Sequence, residues 1–118
     1  MHRQEQSNLI FPLYQVMSQD ISVIELQKRL LAGEKINLYD VREQHEYDEF
    51  NLGGILIPLG ELPGRLEELE DLKDQEIIVH CRSGARSGTA KMFMTQNGFT
   101  QVRNLIGGVL DWQAQFGS

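Results

Sequence analysis

Residues 77–87 read Ile-Ile-Val-His-Cys-Arg-Ser-Gly-Ala-Arg-Ser, and this stretch decides the fold around it. Its first three residues are apolar and β-branched, which predicts a buried strand. Small and polar residues follow, and beyond them Ala90, Phe93 and Met94 recur at the spacing of one helix face. The stretch therefore predicts a strand, a tight loop and the start of a helix, with Cys81 in the loop.

Cys81 is the only cysteine among the 118 residues, so it has no intramolecular disulfide partner. A thiol between a strand and a helix N-terminus faces unpaired backbone N–H groups and the positive end of the helix dipole. With Arg82 and Arg86 nearby, these features lower the pKa of a thiol and favour the nucleophilic thiolate. A core cysteine can also be inert, but a core position does not require a small-residue loop flanked by two arginines. We therefore predict that Cys81 is reactive.

Strand and helix patterns alternate along the rest of the chain. Ser22 followed by Glu25 is typical of a capping box, which opens a helix that ends at Gly33. The segments predicted after it are a strand at 36–41, a short helix at 43–50, a strand at 55–57, a helical segment carrying Leu62, Leu66 and Leu69, a strand at 77–80, a helix ending at Asn97-Gly98, a strand at 102–105 and a terminal helix carrying Leu110 and Trp112. Strands separated by helices predict an α/β fold with a parallel sheet covered on both faces. We expect residues 1–18 to form an N-terminal tail and residues 19–118 a single domain.

Composition and charge narrow the possible partners and locations. The formal net charge of −6 argues against a nucleic-acid binder, which would normally carry a basic stripe. No segment approaches the roughly 18–20 apolar residues of a membrane span, and the apolar stretch 9–11 before Pro12 is too short for a signal peptide. A lone reactive thiol then fits a reducing cytoplasm. His45, His80 and Cys81 lack the spacing of metal ligands, so no zinc site is expected.

Four motifs, in the order found here, resemble the rhodanese-like sulfurtransferase family over residues 20–116. They are Asp40-Val41-Arg42-Glu43 with Glu46-Tyr47, Gly53-Gly54-Ile55-Leu56-Ile57-Pro58-Leu59, the loop from Cys81 to Arg86, and Gly107-Gly108 with Trp112. The resemblance implies a five-stranded parallel sheet with helices on both faces. The segment Asn51-Leu52-Gly53-Gly54, with Gly60-Glu61-Leu62-Pro63, looks closest to the rhodanese-like module at the C-terminus of some bacterial adenylyltransferases of thiamine and molybdopterin biosynthesis.

What this resemblance implies for function is sulfur transfer. The thiolate of Cys81 would take the outer sulfur of thiosulfate, or of a related small anionic donor, as a persulfide. Cyanide, a thiol or a sulfur-carrier protein would then accept that sulfur. The residues that would bind the donor or the persulfide, through backbone N–H groups and guanidinium charge, are Arg82, Ser83, Gly84, Ala85 and Arg86. The chemistry requires no metal, organic cofactor, nucleic acid or membrane.

Several neighbours of the loop allow either a structural or a functional role. We expect Arg86 to anchor the loop or to bind the charge of the donor, and Arg82 either to meet anionic donors or to remain solvated. The hydroxyl of Ser87 could donate to the persulfide, but capping of the following helix is the preferred interpretation. Asp40 and Arg42 are expected to form a structural ion pair.

Two other functions remain open for this loop. One is a cysteine-dependent phosphatase or arsenate reductase, because dual-specificity phosphatases of the same fold also open their loop with a His-Cys pair. Their pattern has five residues between Cys and Arg, whereas four separate Cys81 from Arg86. The other is a non-catalytic rhodanese-like binding module, although such modules usually lack the nucleophile. A sulfurtransferase is therefore the favoured prediction.

Overall fold

The computed structural model describes residues 17–117, so residues 1–16 of the expected N-terminal tail lie outside the described part. The elements of the described chain, in order, are α1 (Val23–Leu31), β1 (Asn37–Asp40), α2 (Gln44–Glu49), β2 (Ile55–Leu56), a 3₁₀ turn (Leu59–Glu61), α3 (Leu62–Arg65), a 3₁₀ segment (Leu66–Leu72), β3 (Glu76–His80), α4 (Ala85–Gln96), β4 (Gln101–Asn104) and α5 (Gly108–Phe116). Strands and helices thus alternate as the sequence predicts.

The segment before β3 differs in detail from the predicted helix. Pro63 lacks a backbone N–H and Gly64 favours irregular backbone, so regular α-helix lasts only through α3 and the chain continues as 3₁₀ turns. The leucines at this spacing still face the core, because Leu62 and Leu69 are buried and Leu66 packs against the same cluster. The period of the leucines identified a face that packs on the core, but not the type of helix.

The sheet is parallel throughout, with the strand order β2-β1-β3-β4. Five strands were expected, whereas the described part of the chain contains four. At the fifth position Ile21 alone forms a parallel bridge with Leu105, and its N–H donates to the carbonyl of Asn104 at 3.0 Å. Two residues before Ile21, the carbonyl of Gln19 accepts a hydrogen bond from the side chain of Arg103 and not from the backbone of β4. Side-chain contacts therefore replace the ladder along this edge.

Helices cover both faces of the sheet, as predicted. The buried residues of the first face, which α4 covers, are Tyr39, Val41, Ile57, Leu62, Leu69, Ile77, Val79, Cys81, Ala90, Met94, Phe99 and Val102. Those of the second face, which α1 and α5 cover, are Ile21, Val23, Leu26, Leu38, Ile78 and Leu105. Successive residues of β3 alternate between the two faces, which brings the side chain of Cys81 to the side of α4.

The neighbouring strands β1 and β3 end together, since Asp40 is paired with His80 in their register. The segments that follow them therefore leave the same edge of the sheet, which is where ligands bind in open parallel sheets. Arg42 and Cys81 lie in those two segments. Within residues 17–117, no helix is both long enough and apolar enough to cross a membrane.

Candidate active site

Cys81 lies directly after β3, and only 1% of its surface is exposed. Three donors converge on its Sγ: the backbone N–H of Gly84 at 3.1 Å, the backbone N–H of Ser87 at 3.4 Å and the hydroxyl of Ser87 at 3.3 Å. The sequence predicted such donors from residues 82–86. Of these residues, Gly84 makes a hydrogen bond to the sulfur and the N–H of Ser83 helps to stabilise it without hydrogen-bond geometry, while Ser87 adds two donors from outside that range.

These donors set the charge state of the thiol. Burial by itself would raise the pKa of Cys81, since a thiolate is poorly solvated in the interior. The hydroxyl of Ser87 and the N–H groups of Ser87, Gly84 and Ser83 stabilise the anion and outweigh burial, so the pKa of Cys81 is lowered. The site therefore favours a thiolate that is both shielded and hydrogen-bonded.

The loop turns back over the sulfur because Gly84 adopts φ +113°, a conformation that side chains disfavour. Gly84 is the N-cap of α4, which begins at Ala85. The interpretation of Ser87 as the helix cap is therefore wrong. Ser87 lies inside the first turn of α4, where it is fully buried and directs its hydroxyl at the sulfur.

The carbonyls of the loop are held from the other side by α5. The N–H of Val109 donates to the carbonyl of Cys81 at 3.0 Å, and the N–H of Leu110 donates to the carbonyl of Arg82 at 3.0 Å. This approach requires Gly108, because a Cβ there would lie 2.5 Å from the carbonyl oxygen of Cys81. With the carbonyls held outward by α5, the N–H groups of the loop are left to face the sulfur.

Arg86 anchors the loop to α2. Its Nη1 and Nη2 donate to Oε1 and Oε2 of Glu46 at 2.7 and 2.9 Å. The guanidinium lowers the pKa of Glu46 to about 2, against the opposing effect of burial. The N–H of Glu43 also donates to Glu46, at 2.9 Å, and so fixes the carboxylate at the start of α2. Of the two roles expected for Arg86, the structure shows the anchor.

The other predicted loop residues, Arg82, Ser83 and Ala85, are exposed. Arg82 lines a cavity of about 290 Å³ between α2 and α5, together with Glu46 and Leu110. The side chain of Arg82 therefore borders this cavity and is not among the hydrogen-bond donors to the sulfur. Within residues 17–117, no group of three His, Cys, Asp or Glu side chains is placed to hold a metal ion.

Asp40 and Arg42 form the expected ion pair, and it is buried. Nη2 of Arg42 lies 2.8 Å from Oδ2 of Asp40, with the side chains 4% and 0% exposed. The same nitrogen donates to the carbonyl of Phe50 at 2.6 Å, so the pair closes the turn between β1 and the end of α2. A buried pair with these partners is a structural element that shapes the wall beside the loop.

The contacts that Asn104 and Glu46 make at the site could hardly be predicted from the sequence. Asn104, at the end of β4, accepts from the hydroxyl of Ser87 at 2.6 Å and donates to the carbonyl of Gly84 at 3.1 Å. Its position at the carboxyl end of the strand beside β3 is the only feature that could have suggested it. Glu46 was noted as part of a motif, but the sequence does not say that it would meet Arg86.

A buried cysteine surrounded by amide donors, at the end of a parallel strand and the start of a helix, defines a site for cysteine nucleophile chemistry. A family model described as the rhodanese-like domain matches residues 22–115. The chain therefore belongs to the rhodanese-like domain family.

Individual relatives agree with this assignment. The putative sulfur carrier protein YrkF of Bacillus subtilis is 37% identical over 94 residues, 79% of this chain, and the chain spans 50% of the length of YrkF. A sulfurtransferase of Allochromatium vinosum is 34% identical over 97 residues, 81% of this chain and 89% of that protein. The solved structure of the human single-domain sulfurtransferase TSTD1 superposes with a TM-score of 0.71 at 26% identity, covering 81% of this chain and 96% of that one.

The expected likeness to an adenylyltransferase module needs correction. The probable adenylyltransferase/sulfurtransferase MoeZ of Mycobacterium tuberculosis is 32% identical over 92 residues, which is only 24% of its length. YrkF and the Allochromatium vinosum sulfurtransferase match at the higher identities of 37% and 34%. The likeness to that module is therefore more distant than the likeness to these two relatives.

Proposed function

We propose that the protein is a sulfurtransferase that carries a sulfane sulfur as a persulfide of Cys81. The observation that carries this proposal is the convergence of the Gly84 and Ser87 donors on a buried sulfur. Donors aimed at the sulfur lower the energy of the thiolate, which is the attacking form. The Allochromatium vinosum and human relatives are described as sulfurtransferases, which supports the same chemistry.

In the first half-reaction the thiolate of Cys81 attacks the outer sulfur of thiosulfate. A bond forms between Sγ and that sulfur, the sulfur–sulfur bond of thiosulfate breaks, and sulfite leaves with the bonding electron pair. The product is a persulfide anion, so the total charge is unchanged. Arg82 is exposed and follows Cys81 in the chain, so it offers a positive charge to the dianionic donor in a protein whose formal net charge is −6.

In the second half-reaction an acceptor thiolate, or cyanide, attacks the outer sulfur of the persulfide. The bond to Sγ breaks, and Cys81 leaves as the thiolate that the loop already stabilises. The same donors therefore stabilise the nucleophile of the first step and the leaving group of the second. Two half-reactions through a covalent intermediate predict ping-pong kinetics.

The intact mass of the protein after exposure to thiosulfate tests the proposal. We expect a gain of one sulfur atom, which disappears when cyanide is added and thiocyanate is released. The Cys81→Ser variant is the matched control, since it keeps the size of the side chain but has no comparable thiolate at neutral pH. Equal sulfur transfer by the variant and the parent, or no gain of sulfur by the parent, would overturn the proposal.

A further inference from the structure

Asn104 is the last residue of β4 and contacts both residues that donate to the sulfur. Its Nδ2 donates to the carbonyl of Gly84 at 3.1 Å, and its Oδ1 accepts from the hydroxyl of Ser87 at 2.6 Å. Gly84 and Ser87 are the residues whose N–H and O–H groups reach Sγ of Cys81. One side-chain amide on a neighbouring strand thus connects the loop and the first turn of α4.

The hydroxyl of Ser87 has one proton and two possible acceptors. Oδ1 of Asn104 is 2.6 Å away and Sγ of Cys81 is 3.3 Å away, so the amide fixes the oxygen while the sulfur stays within reach. With a neutral thiol, the hydroxyl can donate to Asn104 and accept from the S–H group. With a thiolate, its proton can turn to the sulfur without movement of the oxygen.

Asn104 is itself held in place. Its backbone N–H donates to Oδ1 of Asp20 at 3.0 Å, and Nζ of Lys91 lies 2.6 Å from the same oxygen. The register of β4 also pairs Asn104 with Val79 of β3. Because the backbone is fixed on both sides, the side-chain amide reaches the loop from a rigid support.

We propose that Asn104 is a positioning residue for the nucleophile, and that its amide aims the donors of Gly84 and Ser87 at the sulfur of Cys81. The role in sulfur transfer rests on the proposed function, whereas the effect on the thiol does not. Neither contact involves the substrate, so Asn104 acts through its two partners. Removing the amide takes away the acceptor that fixes the hydroxyl of Ser87 and one of the two donors to the carbonyl of Gly84, the other being the N–H of Gly88 at 2.9 Å, and so makes the thiolate less stable.

The pH dependence of Cys81 alkylation by iodoacetamide measures this effect directly, because the thiolate is the form that reacts. In Asn104→Ala we expect the pKa of Cys81 to rise by about one pH unit, which lowers the thiolate fraction about tenfold at any pH well below that pKa. We expect kcat/KM for thiosulfate to fall in the same pH range by about the same factor. An unchanged or lower pKa would overturn the proposal, and a lower value would mean that Asn104 competes with the sulfur for the Ser87 proton.

Asn37→Ala is the matched control. Asn37 is also an asparagine at the end of a strand, β1, and its amide also donates to a backbone carbonyl, that of Glu76, at 2.9 Å. It lies at the opposite end of the sheet, in register with Ile77. We expect it to leave the alkylation profile unchanged, so a shift of the profile in both variants would point to general loosening and overturn the positioning role.

A Ser87→Ala background tests the route of the effect. If Asn104 acts largely through the hydroxyl of Ser87, Asn104→Ala shifts the pKa of Cys81 less in that background than in the parent. An equal shift in both backgrounds would remove the Ser87 route from the proposal.

If Asn104→Ala folds poorly, Asn104→Val replaces it, because valine favours strands and also lacks the amide. A different result is that the parent protein takes no sulfur from thiosulfate while the pKa of Cys81 still rises in Asn104→Ala. That result would overturn the proposed function and leave the positioning role intact.

Discussion

Arg86 and Glu46 form a two-pronged ion pair, in which Nη1 and Nη2 of the guanidinium donate to Oε1 and Oε2 of the carboxylate at 2.7 and 2.9 Å. The contact joins the first turn of α4 to the first turn of α2, far apart in the sequence. Because the guanidinium is committed to this carboxylate, Arg86 does not present a free fork to a substrate anion. The contact holds the loop against α2.

The first prediction concerns this anchor. Arg86→Ala should lower kcat/KM for thiosulfate about tenfold, since a charge-assisted pair that is partly open to solvent contributes about 1.4 kcal/mol. Arg86→Lys should fall between the alanine variant and the parent, because lysine keeps the charge but cannot make the two-pronged contact. Steady-state kinetics provide the measurement. Glu46→Gln should resemble Arg86→Lys if the role is anchoring, and an unchanged kcat/KM in Arg86→Ala would exclude that role.

The second prediction concerns the close approach of α5 to the loop. Gly108→Ala places a Cβ 2.5 Å from the carbonyl oxygen of Cys81 and 2.6 Å from that of Arg82, both of them backbone atoms that cannot easily move. We expect a loss of about 3 kcal/mol in the free energy of unfolding, measured with urea, and slower alkylation of Cys81.

Gly117→Ala is the control for this prediction. Gly117 has φ +85° at the other end of α5, and no atom of another described residue lies within 4 Å of the point that an alanine methyl would occupy, so its substitution tests backbone strain without a clash among residues 17–117. We expect it to cost about 1 kcal/mol and to leave the thiol unaffected. Equal costs for the two glycines would mean that the close contact at Gly108 is unimportant.

The third prediction concerns His80, which is fully buried and whose ring nitrogens make no hydrogen bond of good geometry among the described residues. Burial lowers its pKa from 6.5 to about 4, against the pull of Asp40, whose Oδ2 lies 3.8 Å from Nε2. Between these two pH values the unfolded chain binds a proton that the folded chain does not. The free energy of unfolding therefore falls as the pH falls from 6.5 towards 4.

Replacing His80 with leucine should remove this part of the pH dependence. From pH 7 to pH 4.5 we expect the parent to lose about 2 kcal/mol more than His80→Leu in the free energy of unfolding. At pH 7 the variant should be at least as stable as the parent, because leucine leaves no buried polar atom without a partner. Urea unfolding at the two pH values is the measurement, and parallel losses in both proteins would contradict the assignment.

The fourth prediction separates sulfur from phosphorus chemistry. Four residues lie between Cys81 and Arg86, and Arg86 is occupied by Glu46. A phosphate ester needs a donor for each equatorial oxygen while its phosphorus stays in line with the thiolate, and this loop is too tight for that arrangement. We expect negligible hydrolysis of an aryl phosphate and measurable sulfur transfer. Inserting one residue between Gly84 and Ala85 should lower the rate of sulfur transfer. If the parent instead hydrolyses an aryl phosphate in a Cys81-dependent reaction that is faster than its sulfur transfer, a phosphatase is the better interpretation.

Much of the fold and the centre of the site could be predicted because their signals are local. The apolar run before Cys81 and the helical spacing from Ala90 to Met94 identify the strand, the loop and the helix without knowledge of their neighbours. The helix opened by Ser22 also begins as predicted, with the hydroxyl of Ser22 accepting from the N–H of Glu25 at 3.1 Å. Each of these features is decided within a few residues of the chain.

The remaining features depend on contacts between distant segments. Ser87 looks like a helix cap in the sequence, but the positive φ of Gly84 moves the cap upstream and turns the hydroxyl towards the sulfur. Nothing near Asn104 in the sequence indicates that it would meet Gly84 and Ser87. The single bridge of Ile21 in place of a fifth strand likewise results from side chains that bind the neighbouring backbone.

The hold of α5 on the cysteine loop has a consequence for the growing chain. The ribosome adds Cys81 before Val109 and Leu110, whose N–H groups receive the carbonyls of Cys81 and Arg82. Until α5 docks, those two carbonyls lack these partners, and one of the supports of the loop is absent. The loop around Cys81 therefore reaches its full set of hydrogen bonds only after the last helix of the domain has been synthesised.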